Sequence, residues 1–250
     1  MKLSIYIEGK LNKVFTIISN FISSLKASSF ENKLIEICNN YEFHAKTKYN
    51  LWNTLDIYNK VHKNKIQGSI VECGVWQGIH LVFFQKLVEK YNLKNHKIYG
   101  FDTFEGIPPP TAEDITKYDE LMKKEYERLK KSDGTSGWNY ATINEVKKNY
   151  FQNTLPNDNL ILIKGKVEDT LLDSNNIPEK ISILILDTSL YEGTKIELEK
   201  LFSKVQKGGA VIVDGYAQYK GVKKAVDDYL GSKVYLIKFY RILGRAVIYL

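Results

Sequence analysis

The chain has 250 residues, 44% apolar and 26% charged, with a formal net charge of +7; this length suits one large domain, or a domain with an added cap, and a core of its own. The positive charge is almost all lysine, scattered among acids, with arginine only at 128, 241 and 245, which argues against nucleic acid as a partner and for a solvated surface open to anionic substrates. Cys38 and Cys73 stand without metal-type spacing, which excludes a disulfide framework and points to a reducing compartment.

Residues 1–65 read as a helical N-terminal extension. Val14, Phe15, Ile17, Ile18, Phe21, Ile22 and Leu25 recur at helical spacing, as do Leu34, Ile35 and Ile37. Such faces pack on the domain or on a partner subunit, so a homo-oligomer is compatible with them. The first run is too short and polar to be a transmembrane segment. The N-terminus lacks a secretory signal pattern, so a cytoplasmic location is expected. A further helix is expected over 44–64, through Leu51, Leu55, Tyr58 and Val61. His44 stands just before it. It is a candidate for the edge of an active site, against the alternative of an exposed polar residue.

Residues 66–250 read as the main domain. Ile70 and Val71 form an apolar run that ends in Glu72, followed by Gly74 and Gly78 and a helical pattern from Ile79 to about Tyr91. Glycines in such a turn let a ligand approach the backbone, and the helix N-terminus offers free N–H donors. A second strand, Lys97 to Phe101, ends in Asp102, where nucleoside-binding α/β folds place a carboxylate on ribose hydroxyls. Three prolines, Pro108 to Pro110, then force an extended exit. Residues 103–158 form a polar insertion, read as a lid or substrate-selecting loop, with helical patterns over 112–131 and 144–151.

The core resumes at Leu160–Ile163, with Gly165 and Asp169 just beyond. Ile181–Leu186 is a continuous apolar strand ending in Asp187, as in a sheet buried on both faces. A helix is expected from about Thr194 to Val205, capped by Gly208 and Gly209. A strand, Ala210–Val213, then ends in Asp214, and another helix covers Val222–Tyr229. Val234–Phe239 and Ala246–Tyr249 read as a terminal hairpin around Gly244. Alternating strands and helices imply a mostly parallel sheet with right-handed crossovers. One aspartate at a strand end reads as a helix cap or loop carboxylate. Asp102, Asp187 and Asp214 together mark a ligand crevice.

The segments Val71–Gly78, Tyr99–Pro108, Leu186–Glu192, Gly208–Tyr216 and Gly221–Asp227 resemble the macrocin O-methyltransferase family, over roughly residues 44–230. The Phe-Asp-Thr-Phe-Glu-Gly block beside Glu-Cys-Gly-Val-Trp carries the likeness. It implies a Rossmann-like class I methyltransferase sheet, mostly parallel with a C-terminal antiparallel hairpin, and S-adenosylmethionine as cofactor. Carried over residue by residue, Gly74 and Gly78, with Val75 between them, approach the methionine end of the cofactor and Glu72 sits beneath it. Asp102, followed by Thr103, takes the ribose hydroxyls, and Gly165 to Asp169 borders the adenine. Trp76 walls the pocket or packs in the core.

The sequence departs from the family at the acceptor end. The family's Leu-Asp-x-Asp is Leu186-Asp-Thr-Ser189 here, and its Val-Asp-Asp-Tyr is Val213-Asp-Gly-Tyr216. The resemblance implies that Asp187 and Asp214 are metal ligands, that Gly215 has lost a third, and that Ser189 has lost the base. Mg²⁺ is therefore expected to bind weakly or not at all. An alcohol needs a base to take its proton, and the candidates are Asp187, Asp214, Glu192, His44 and His80. The expected activity is sugar O-methylation in the biosynthesis of a polysaccharide, other glycan or glycosylated metabolite. The alternatives are an amine acceptor, or an impaired cofactor-binding subunit that supports a partner enzyme.

Overall fold

A computed structural model describes residues 21–39, 45–93, 96–240 and 244–250, with Val14 and Ile18. Its centre is a seven-stranded sheet in the order β3-β2-β1-β4-β5-β7-β6. The strands are β1 (Ser69–Cys73), β2 (Ile98–Asp102), β3 (Leu160–Lys164), β4 (Ile181–Leu186), β5 (Val205–Val213), β6 (Ile237–Tyr240) and β7 (Arg245–Tyr249). The first five run parallel, while β7 pairs antiparallel with both β5 and β6. The helices are α1 (Ser29–Asn39), α2 (Ala45–Lys63), α3 (Ile79–Lys90), α4 (Met122–Leu129), α5 (Ile143–Asn153), α6 (Val167–Thr170), α7 (Tyr191–Leu201) and α8 (Lys220–Leu230). No described helix is long and apolar enough to cross a membrane.

The strands are apolar throughout because both faces are covered. Ile70, Ile98, Ile183, Ile185 and Ile212 face one core, with Leu34 of α1, Leu51 and Leu55 of α2, and Phe83 and Phe84 of α3. Val71, Phe101, Leu184, Leu186, Val211 and Val213 face the other, with Leu198 of α7 and Val222 and Val226 of α8. Helices α1 and α2 of the N-terminal extension thus share the core of the main domain, whereas Val14, Ile18, Phe21, Ile22 and Leu25 are exposed.

Side chains alternate along a strand, and this sets the site. Glu72 shares the face of Ile70, and Asp102 that of Ile98. The ladder continues one residue past β4 and β5, since Asp187 N–H donates to the Cys73 carbonyl at 2.8 Å and Asp214 N–H to that of Leu186 at 2.9 Å. Asp187 and Asp214 therefore follow Ile185 and Ile212 onto that same face, at one end of the sheet.

Three elements differ from expectation. Helix α7 ends at Leu201, and Gly208 and Gly209 lie inside β5 rather than capping it. Gly209 is there because a Cβ would stand 2.7 Å from the Ser182 carbonyl oxygen on the neighbouring strand. In the insertion, α5 meets the pattern expected over 144–151, but of the stretch 112–131 helix covers only α4. Residues 111–121 turn instead around buried Asp114, whose Oδ2 accepts from Thr111 N–H at 2.7 Å and whose Oδ1 accepts from Tyr191 N–H at 2.7 Å. At the C-terminus, Gly231–Leu236 is a 3₁₀ turn, and the strand starts at Ile237.

Candidate functional site

The glycine turn after β1 is held by backbone contacts. Gly74 has φ +84°, and a Cβ there would lie 2.4 Å from the Asp187 carbonyl oxygen. The ends of β1 and β4 touch main chain to main chain, which only glycine permits. Gly78 precedes α3 in the left-handed region, with φ 78°. A Cβ on it would meet Val146 of α5 at 2.8 Å. Helix α5 is fixed by a capping box between Thr142 and Glu145, so the insertion packs on the turn.

Asp102 ties the turn to β2. Its Oδ2 accepts from Val75 N–H at 2.8 Å and Trp76 N–H at 3.0 Å, and its Oδ1 from Phe104 N–H at 2.7 Å. Burial raises its carboxyl above the usual range, opposed by these N–H donors. A carboxylate has about four lone-pair sites. Oδ2 has both of its own engaged; on Oδ1 capacity is left, since the one Thr103 hydroxyl proton goes to the Gly106 carbonyl at 2.6 Å rather than to Oδ1 at 3.4 Å.

Between this turn and β4 lies a cleft with about 670 Å³ of empty space, including its mouth. Of the expected cofactor residues, Gly74, Trp76, Asp102, Thr103 and Gly165 line it. Val75 acts on it only through its N–H to Asp102. Gly78 lies behind the turn, and Asp169 does not line the cleft; Lys166, Val167 and Glu168 do. Glu72 also falls outside the lining, buried beneath the turn with Oε1 2.6 Å from His80 Nδ1. That pairing removes His80 from the base candidates that reach the cleft. The insertion contributes Gly106, Ile107, Pro108 and Asn139 to the wall.

At the acceptor end the lining includes Asp187, Thr188, Leu190 and Gly193. Asp214 does not line the cleft. Its Oδ2 accepts from Nε and Nη2 of the buried Arg245 at 2.9 and 2.8 Å. Ser189, at the expected position of the base, is buried with φ +65°. Glu192 is exposed on the first turn of α7. His44 lies outside the described residues. The Tyr219 ring stands where a side chain on Gly215 would go, its Cδ2 2.8 Å from a Cβ built there. Burial, then the charges of Asp187 and Asp214, push its phenol up to about 12, so it is a hydrogen-bond donor at neutral pH.

The residues present fit a nucleoside cofactor better than a metal. Gly74 and Gly165, with φ +84° and +140°, leave backbone bare toward the cleft, beside a carboxylate with remaining acceptor capacity. Among the described residues no group of three or more His, Cys, Asp or Glu is placed to hold a metal ion. Of the two expected metal ligands, Asp187 lines the cleft and Asp214 is held by Arg245.

Sequence reasoning missed Arg245, Tyr219 and Asn139, whereas Lys166 to Glu168 lie inside the segment 165–169 expected beside the adenine. Arg245 was readable in principle: an antiparallel partner for β5 places a residue of the last strand opposite Asp214. Tyr219 and Asn139 reach the site through loop geometry that leaves no periodic signal.

The model of the macrocin-O-methyltransferase (TylF) family matches residues 45–248. A demethyldecarbamoylnovobiocin O-methyltransferase from Streptomyces niveus is 29% identical over 66% of this chain and 59% of its own length. An 8-demethyl-8-(2,3-dimethoxy-alpha-L-rhamnosyl)-tetracenomycin-C 4'-O-methyltransferase from Streptomyces olivaceus is 28% identical over the same shares. The matched chain thus spans about three-fifths of these curated relatives. The solved structure of the O-methyltransferase NovP superposes with a TM-score of 0.66 at 23% identity, covering 80% of this chain and 78% of that one. The fold is that of the class I methyltransferases, and the chain belongs to the macrocin-O-methyltransferase family.

Proposed function

We propose that the protein is an S-adenosylmethionine-dependent O-methyltransferase whose acceptor is a sugar hydroxyl, in the cytoplasmic assembly of a glycan or glycosylated metabolite. The observation that carries this reading is the single cleft that runs from the glycine turn and Asp102 to Asp187, in a chain of this family. The name of the tetracenomycin relative specifies a rhamnosyl-bearing substrate, which supports a sugar acceptor.

When bound, S-adenosylmethionine supplies a methyl group already activated as a sulfonium. The chain's own residues do the rest. Gly74 and Trp76 shape the methionine end, Asp102 offers Oδ1 to a ribose hydroxyl, and Gly165 to Glu168 border the base. Asp187 is the strand-end carboxylate that lines the cleft, and it would accept the proton of the acceptor hydroxyl. Tyr219, a neutral phenol beside the charges of Asp187 and Asp214, offers a hydrogen-bond donor near this end. The insertion over 103–158 walls the acceptor side and limits water.

Incubation with methyl-labelled S-adenosylmethionine and a panel of nucleotide sugars and glycosides tests this. Label on a sugar oxygen is expected. Label on nitrogen would replace the acceptor class, and no transfer despite cofactor binding would favour a non-catalytic subunit.

A further inference from the structure

Arg245 opens β7 and is wholly buried. Register places it. β5 and β7 run antiparallel with Val213 opposite Ala246, so the next position outward on each strand sets Asp214 against Arg245. The guanidinium donates to Oδ2 of Asp214 through Nε and Nη2. Its Nη1 donates to the Asn50 carbonyl at 3.1 Å and to Thr54 Oγ1 at 3.0 Å, both on α2. The other carboxylate oxygen, Oδ1, accepts from Gly215 N–H at 2.8 Å. A fixed positive charge thus sits at the strand end and joins β5, β7 and α2.

A divalent ion at this strand end would draw on Asp187, Asp214 and an acid at 215. Here Gly215 has none. Its φ of +74° and the Tyr219 ring over it disfavour any side chain. Both oxygens of Asp214 already face donors. An ion approaching Asp214 would have to displace charge-assisted hydrogen bonds and stand beside a buried guanidinium, a like charge in a medium of low dielectric. Removing one partner of a buried pair strands the other charge, so the pair stays intact.

We propose that Arg245 is the resident cation of this strand end: its guanidinium, locked on Asp214, holds the position of a divalent metal, so the site recruits none. The inference rests on the methyltransferase reading. Arg245 acts through Asp214 and α2, not on the substrate, and is a positioning residue.

The test is electron paramagnetic resonance titration of the full-length protein with Mn²⁺, with and without S-adenosylhomocysteine. Wild type is expected to show no site tighter than about 1 mM, the weak end of protein oxygen sites. Arg245→Met, which frees Asp214 and removes the charge, should gain Mn²⁺ affinity about tenfold or more. Arg245→Lys keeps the charge and should gain none. A Mn²⁺ site in wild type that Asp214→Asn removes would overturn the proposal, and this arm holds even if Arg245→Met does not fold. A folded Arg245→Met without gain would overturn it too, as would equal gains in both arginine variants. Mn²⁺ binding is read without turnover. Failure of the methyltransferase reading would show separately, as no heat when S-adenosylhomocysteine is titrated into the same sample.

Discussion

The two ends of the cleft are built from different material. The cofactor end is mostly main chain: Gly74 against the Asp187 carbonyl, and the N–H groups of Val75, Trp76 and Phe104 on one carboxylate. At the acceptor end the contacts are mostly side chain: Asp187 lines the cleft, and outside its lining stand Tyr219 over Gly215 and Arg245 on Asp214. Backbone geometry depends on a few glycines and one acid, so it admits little substitution. A side-chain site can be rewired while the sheet stays the same.

The comparison breaks most sharply at Gly74. Gly74→Ala places a Cβ 2.4 Å from a carbonyl oxygen at φ +84°. The left-handed conformation alone costs an L residue about 1–2 kcal/mol, and the overlap must part β1 from β4. Binding of S-adenosylhomocysteine should fall below detection by calorimetry, with a clear drop in melting temperature. Asp102→Asn comes next. It weakens charge-assisted bonds to the turn, each worth about 1.5–3 kcal/mol. Cofactor affinity should fall roughly ten- to a hundredfold by the same calorimetry, and unchanged affinity would remove Asp102 from the site.

A smaller effect, on stability, depends on pH. Glu197 of α7 is fully buried, and burial pushes its carboxyl well above its ordinary value of 4.5. Between that value and the raised one, the folded protein keeps a proton that the unfolded chain releases. Stability therefore falls as pH rises through that window, by up to about 1.4 kcal/mol per unit from this group. Glu197→Gln removes the group, so its melting temperature should fall less than that of wild type as pH increases above 4.5. Parallel melting curves for the two proteins would discount the effect.

The smallest effect concerns the insertion. It is stitched to the 214–221 loop, with Lys117 N–H on the Gln218 carbonyl and Lys220 N–H on that of Ile115, both at 2.7 Å. Hydrogen exchange should show residues 103–158 less protected than the sheet without ligand, and slower on adding S-adenosylhomocysteine. Protection equal to that of the sheet in the free protein would mean a fixed wall rather than a lid.

The sheet was legible because buried parallel strands are written as unbroken apolar runs, such as Ile181–Leu186. The acids ending β2, β4 and β5 were legible for the same reason, since they stop those runs. The fate of each acid was not. Whether Asp102 faces a ligand or its own turn depends on N–H directions, which carry no residue preference. That Asp214 is taken by Arg245 follows from an antiparallel register 31 residues away along the chain. The insertion misled through composition: charged residues over 112–121 look helical, yet Asp114 serves as a buried turn anchor.

The most direct measurement is calorimetric titration of S-adenosylhomocysteine into the wild-type protein in EDTA, beside Asp187→Asn and Gly74→Ala. The account predicts one equivalent bound by wild type without metal, nearly unchanged affinity in Asp187→Asn, and loss in Gly74→Ala. No binding by wild type in EDTA, with binding restored by Mg²⁺, would contradict it.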